Sequence, residues 1–103
     1  MTAPLRLFAE AAEEIEHERN WYRVRSESAE ASFLRELDHA ISAVLEAPNM
    51  WPLHAAGTRR YVFPTFPFSL IYFIEDEVVF VVSLASEHKP PGYWRDRLRS
   101  RRR

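Results

Sequence analysis

Apolar positions along the chain recur first with the period of a strand, then with that of helices, then with that of strands again. Pro4 to Phe8, "PLRLF", alternates apolar and polar residues after a proline; because proline lacks the ladder donor, this predicts a short strand at a sheet edge. Ala9 to Arg25 contains neither Gly nor Pro, is rich in Ala and Glu, and sets Ala11, Ile15 and Tyr22 on one face, which predicts an amphipathic helix. "SES", Ser26 to Ser28, breaks the run and predicts Ser28 as the cap of a second helix over Ala29 to Ala47. In that helix Phe33, Leu37, Ala40, Ile41, Val44 and Leu45 form a continuous apolar stripe, and Pro48 stops it because the ring forbids continuation.

A loop, "PNMWPLHAAG", then leads into three runs of strand character: Thr58 to Phe63, Phe66 to Glu75 and Glu77 to Ala85. A tight turn near Glu75-Asp76 makes the last two a hairpin. In the final run Val78, Phe80, Val82 and Leu84 alternate with Val79, Val81, Ser83 and Ala85, so both faces are apolar and the strand is expected inside the sheet. The predicted order is β-α-α-β-β-β, an α+β fold in which a helical hairpin covers a small, mainly antiparallel sheet. At 103 residues the chain suits a single domain, here placed at residues 1–98 with a basic tail at 99–103.

Charge changes this picture more than composition does. Residues 1–50 hold ten acidic and five basic side chains, residues 51–103 five acidic and nine basic, and six arginines fall between Arg95 and Arg103. A basic end on an acidic chain points to an acidic or polyanionic partner on one face, or to a solubilising tail. The lack of cysteine excludes disulfides, thiolate catalysis and thiolate metal sites. No stretch resembles a leader peptide, and apolar runs such as Val78 to Val82 fall far short of the roughly 20 residues that span a bilayer, so a soluble, cytoplasmic protein without membrane attachment is expected.

The chain shows no glycine-rich phosphate loop, and its histidines, His17, His39, His54 and His88, are scattered, so neither a metal nor a cofactor is expected. "PPGY", Pro90 to Tyr93, matches a pattern read by aromatic grooves, but a stiff turn followed by an aromatic plug at Trp94 accounts for it better. Antiparallel pairing can bring Arg59 and Arg60, which open one strand, to the same end of the sheet as Ser86, His88, Lys89 and Tyr93, which follow another. Those types suit cleavage of a phosphate ester, with His88 and Tyr93 as acid or base and Arg60 and Lys89 stabilising charge.

Several pieces then fall in a familiar order: "WY" at Trp21-Tyr22, Pro48 with Trp51-Pro52, "RR" at Arg59-Arg60, "FPFSLIY" at Phe66 to Tyr72, and Pro91 to Trp94 followed by Arg97. Over nearly its whole length the chain resembles the RelE/ParE superfamily of type II toxin-antitoxin toxins, the plasmid stabilisation proteins. The resemblance implies a growth-inhibiting toxin held inactive by a cognate antitoxin. That antitoxin is usually a DNA-binding protein with a flexible segment that folds around the toxin, so DNA is met only through it. Toxins of the RelE type are ribosome-dependent mRNA endonucleases, whereas those of the ParE type poison DNA gyrase without catalysis of their own.

The chain departs from the superfamily pattern where a nuclease site would lie. Many relatives read "RFPY" where this chain has Thr65-Phe66-Pro67-Phe68. Relatives with nuclease activity often carry an arginine near Ser69, and many members have a histidine at the place of Ser86. Groups that would clamp a phosphate are thereby missing, and the resemblance favours a ParE-like toxin that binds its target, with the RelE-like endonuclease and a non-toxic antitoxin-binding relative as alternatives. Arg59, Arg95, Arg97, Arg99 and Arg101 are the expected contacts to target or antitoxin.

Overall fold

The structure, a computed structural model, describes residues 3–101, with side chains described through Arg99. Strand β1 (Leu5–Leu7) leads into helix α1 (Ala9–Arg25) and helix α2 (Glu27–Glu46). Four strands follow, β2 (Leu53–His54), β3 (Thr58–Val62), β4 (Phe68–Glu75) and β5 (Val78–Ser86), and the chain closes with helix α3 (Arg95–Arg101). The sheet runs β1-β5-β4-β3-β2, antiparallel throughout except that β1 lies parallel to β5. The α+β architecture and the helical hairpin over one sheet face are as the sequence pattern predicts, and β1 is indeed an edge.

The two helices are joined by a single residue. Ser26 ends α1 by donating its N–H to the Tyr22 carbonyl at 2.9 Å, and starts α2 by accepting the Ala29 N–H on its own hydroxyl at 2.9 Å. Its φ of −170° is extended backbone, so the axis reverses there. The expected cap at Ser28 is therefore displaced: Ser28 sits inside α2, whose first turn begins at Glu27, and the true cap stands two residues earlier. Arg23 and Arg25 in the last turn of α1 favour its negative end.

Between the hairpin and the sheet lies the larger core. Phe33, Leu37, Ala40 and Val44 of the α2 stripe pack on Phe68, Leu70, Tyr72 and Val81, and Ile15 and Tyr22 of α1 close over its margin half-buried. The far face of the sheet carries a second, smaller core of Ile71, Val82, Trp94 and Leu98. This second core is what holds α3, an element the sequence pattern did not predict, and Trp94 is 2% exposed within it. Gly92, at φ +73°, turns the chain after Pro91 so that Trp94 can enter, a conformation that glycine adopts at no steric cost.

Strand β5 does not alternate as predicted. Tyr72 pairs with Val81 but its neighbour Ile71 pairs with Ser83, which leaves Val82 as the extra residue of a β-bulge. The bulge shifts the phase, so Val82 joins the α3 core while Leu84 faces the helical hairpin, although a strict period of two puts both on one side.

Side-chain hydrogen bonds fasten the loops to the helices. Glu36 of α2 accepts the backbone N–H of Thr65 at 2.8 Å and of Phe66 at 3.0 Å, fixing the β3–β4 loop. Tyr72 donates its hydroxyl to the Pro48 carbonyl at 2.7 Å, and burial pushes that phenol up to about 12. The loop read from Pro48 to Gly57 also hides β2 and a 3₁₀ turn, Ala55–Gly57, whose Ala55 carbonyl accepts the Thr58 hydroxyl at 2.6 Å. Ser26→Ala should lower stability by about 1 kcal/mol in chemical denaturation, whereas Ser28→Ala should change it by less than about 0.5 kcal/mol.

Candidate functional site

Strand β1 covers β5 only as far as Val81, so beyond that point the outer edge of β5 has no strand partner. Side chains take the place of a strand. Leu84 donates its N–H to Oε1 of Glu14, from α1, at 3.1 Å, and the Val82 carbonyl accepts Nη1 of Arg97, from α3, at 3.0 Å. Arg97 and Glu14 are themselves joined by two parallel bonds, Nη1 to Oε1 at 2.9 Å and Nη2 to Oε2 at 3.0 Å. The Tyr93 hydroxyl donates to Oε2 of Glu14, and the Ser83 hydroxyl donates to Oε1 at 2.9 Å. This cluster clasps α1 to α3 across the sheet edge.

Both charges of the clasp are largely withdrawn from water, with side chains 15–16% exposed. Burial alone would raise the Glu14 carboxyl, but the hydrogen bonds from Arg97, Tyr93 and Ser83 and the adjacent Arg97 charge outweigh it and hold the group below the usual carboxylate range. Arg97 is likewise opposed by burial yet raised by Glu14. Burial and the bond to Glu14 raise the Tyr93 phenol, so at neutral pH it keeps its proton and directs it at a carboxylate.

On the α3 side of the sheet, next to the clasp, opens a notch of about 240 Å³. Arg60 and Ser69 stand on its strand side, Lys89, Gly92 and Trp94 on the other, and His54 of β2 at its margin. Arg60 and Arg95 donate their backbone N–H groups to the Pro52 and Gly92 carbonyls, both at 3.0 Å, but their guanidinium groups have no carboxylate partner among the described residues, while Lys89 places Nζ 5.1 Å from the centre of the Tyr93 ring. His54 lies 5.9 Å from Trp94, ring centre to ring centre, and its imidazole is pushed below the usual histidine range by burial first and then by Arg60 and Arg95.

Of the residues singled out by sequence, the fold brings Arg60, Lys89 and Tyr93 to this notch. His88 is exposed in the turn after β5, with its backbone N–H on the Ser86 hydroxyl at 3.1 Å, and does not line the notch. Arg59 spends Nη1 on the Trp51 carbonyl at 2.7 Å. Arg95 lies against Gly92, Arg97 belongs to the clasp, and Arg99 pairs with Asp96 at 2.7 Å in open solvent. Arg101 ends α3, and Arg102 and Arg103 of the expected tail lie outside the described residues. Sequence reasoning passed over Glu14, Ser83 and His54. Glu14 is one of five glutamates between Glu10 and Glu18, with nothing in the local pattern to distinguish it.

The fold is that of known toxins. The chain superposes on a protein of the chromosomal ParDE toxin-antitoxin system from P. aeruginosa with a TM-score of 0.71 at 13% identity, covering 82% of this chain and 96% of that one. It superposes on the E. coli toxin RelE, solved in the free state as a mutant, with a TM-score of 0.56 at 19% identity, covering 85% and 86%. A search of curated protein sequences found no match. The architecture is thus that of the RelE/ParE toxins. Residues 5–91 match the model of the ParE toxin of the type II toxin-antitoxin system parDE, and the chain belongs to that family. Among the described residues no helix is long and apolar enough to cross a membrane.

The clasp is open to direct test. Removing one partner of a buried ion pair strands the other, so Glu14→Ala and Arg97→Ala should each cost about 2–3 kcal/mol, somewhat below the fully buried case, and the double variant should cost clearly less than their sum. Because the folded Glu14 carboxyl is held low, its contribution is complete above the unfolded value and is lost as pH falls through the folded one. Urea denaturation across that range should therefore show a steeper acid loss in the parent than in Glu14→Gln.

Proposed function

We propose that this chain is a ParE-type toxin that inhibits growth by binding an essential target, DNA gyrase, and is neutralised by a cognate antitoxin folding over its surface in the cytoplasm. The observation that carries this reading is the state of the groups a nuclease would use. Tyr93 directs its proton at Glu14, Arg97 is bound bidentately in the clasp, and His88 stands outside the notch. The two groups expected as acid and base, His88 and Tyr93, are therefore not free at the notch, and inhibition by occupancy fits the site better than cleavage. The match to the ParE model supports the same choice.

The antitoxin is the partner that family membership implies. Surfaces suited to it are the exposed positive charges of Arg60 and Arg95 and the outer edge of β3 past Arg60, where β2 no longer pairs and Val62 is 51% exposed. An acidic segment that folds on contact gains backbone bonds at such an edge and charge pairing beside it. One observation favours a second reading, a RelE-like endonuclease acting at the ribosome: Arg60 and Lys89 do meet at one notch.

Expression of the protein alone should arrest growth and alter plasmid supercoiling while total mRNA stays intact, and co-expression of the neighbouring reading frame should restore growth and yield a co-purifying complex. Rapid mRNA cleavage that Tyr93→Phe abolishes replaces the first reading with the second. Absence of arrest, with a partner still co-purifying, identifies a non-toxic antitoxin-binding relative.

A further inference from the structure

We infer that the notch bounded by His54, Arg60 and Lys89 is a carboxylate-binding site, and that its ligand is an acidic side chain of a partner polypeptide. The inference rests on the protein-binding reading of function above and adds the place and chemistry of one contact. Two cationic side chains, Arg60 and Lys89, line the notch, and Arg95 stands just beyond it against Gly92. Arg60 and Arg95 are without a carboxylate partner among the described residues, and Lys89 touches only the face of Tyr93. One carboxylate, Glu87, lines the same wall, so an excess of positive charge remains. By contrast Arg97, Arg19 and Arg99 pair with Glu14, Glu30 and Asp96, while Arg25, Arg35 and Arg59 each bond a neutral oxygen.

Size and lining choose among anions. A volume of about 240 Å³ accommodates a carboxylate side chain with its water, and is small for a nucleotide. Single-stranded RNA is gripped by exposed aromatic faces on which bases stack. Here Trp94, the largest ring at the notch, is 2% exposed, and the Tyr93 hydroxyl is engaged by Glu14 and Ser83. What the notch presents is a guanidinium on the strand side, an ammonium opposite, the Ser69 hydroxyl and an imidazole, donors suited to a planar carboxylate. The site also adjoins the β3 edge through Arg60, so an extended segment lying along that edge passes within side-chain reach of it.

His54 is a built-in reporter, because burial and then two neighbouring cations depress its imidazole, and a bound anion opposes the cations. The free protein, with its imidazole carbons followed by NMR across pH, is titrated with acetyl-Ala-Glu-Ala-amide, with the Gln counterpart, and with a tri-uridine ribonucleotide. The glutamate peptide is expected to raise the His54 pKa by about one unit, the glutamine peptide to leave it unmoved, and Arg60→Gln to weaken the glutamate peptide at least about tenfold. No shift with the glutamate peptide at millimolar concentration overturns the proposal. Tighter binding of the ribonucleotide also overturns it, in favour of a nucleic-acid ligand. These outcomes are read on the isolated protein and stand apart from the growth and supercoiling assays.

Discussion

The bidentate pair between Glu14 and Arg97 is the interaction on which the remaining architecture turns. A sheet whose edge strand stops after three residues leaves backbone groups of its neighbour without partners, and such groups are costly when buried and adhesive when exposed. Here one carboxylate and one guanidinium supply an acceptor and a donor at the spacing a strand would provide. Because the carboxylate comes from α1 and the guanidinium from α3, sealing the edge also joins the two layers that sandwich the sheet. The desolvation of both charges is offset by five hydrogen bonds around Glu14, so the pair is tolerated where an isolated ion would not be. The same arrangement sets the character of the adjoining notch. By consuming Arg97 and the Tyr93 hydroxyl it withdraws two polar groups from the notch and leaves a basic surface there.

Much of the fold was legible because its elements carry strong, redundant patterns. The α2 stripe repeats at helical spacing from Phe33 to Leu45, and three strands are rich in β-branched and aromatic residues between proline and acidic turns. The elements that escaped notice owe their existence to contacts distant in sequence. Two-residue β2 is held by Arg59 and Thr58 opposite it, and α3 forms because Trp94 and Leu98 bury against Ile71 and Val82 while its arginine-rich surface gives no hint of an apolar face. The bulge in β5 was hidden for a different reason. With both faces apolar, a change of phase leaves no trace in the hydropathy pattern. Ser28 looked as good a cap as Ser26, since both are serines near a break and only the backbone turn distinguishes them.

The candidate site was half legible. Residues flanking the last strand were expected to meet the start of β3, and Arg60, Lys89 and Tyr93 do meet there. What could not be read was the partner each would find. A glutamate in the first helix, seventy-nine residues from Tyr93, redefines that tyrosine from a free hydroxyl to part of a structural network. His54 was passed over because its neighbours in sequence are neutral, while the charges that act on it arrive from β3 and α3.

Glu36 completes the picture of how the helical layer is seated. Apolar contact between a helix pair and a sheet is tolerant of sliding, since one methyl group substitutes for another with little loss. A carboxylate receiving specified backbone N–H groups is not tolerant in that way. With Glu36 of α2 bonded to Thr65 and Phe66, Glu14 of α1 bonded to Leu84, and a single serine between the helices, the hairpin is tied to a loop at one point and to a strand edge at another. A shift of the hairpin along the sheet has to break these charge-assisted bonds first, so the register of helices on strands is set by two carboxylates as much as by the apolar layer between them.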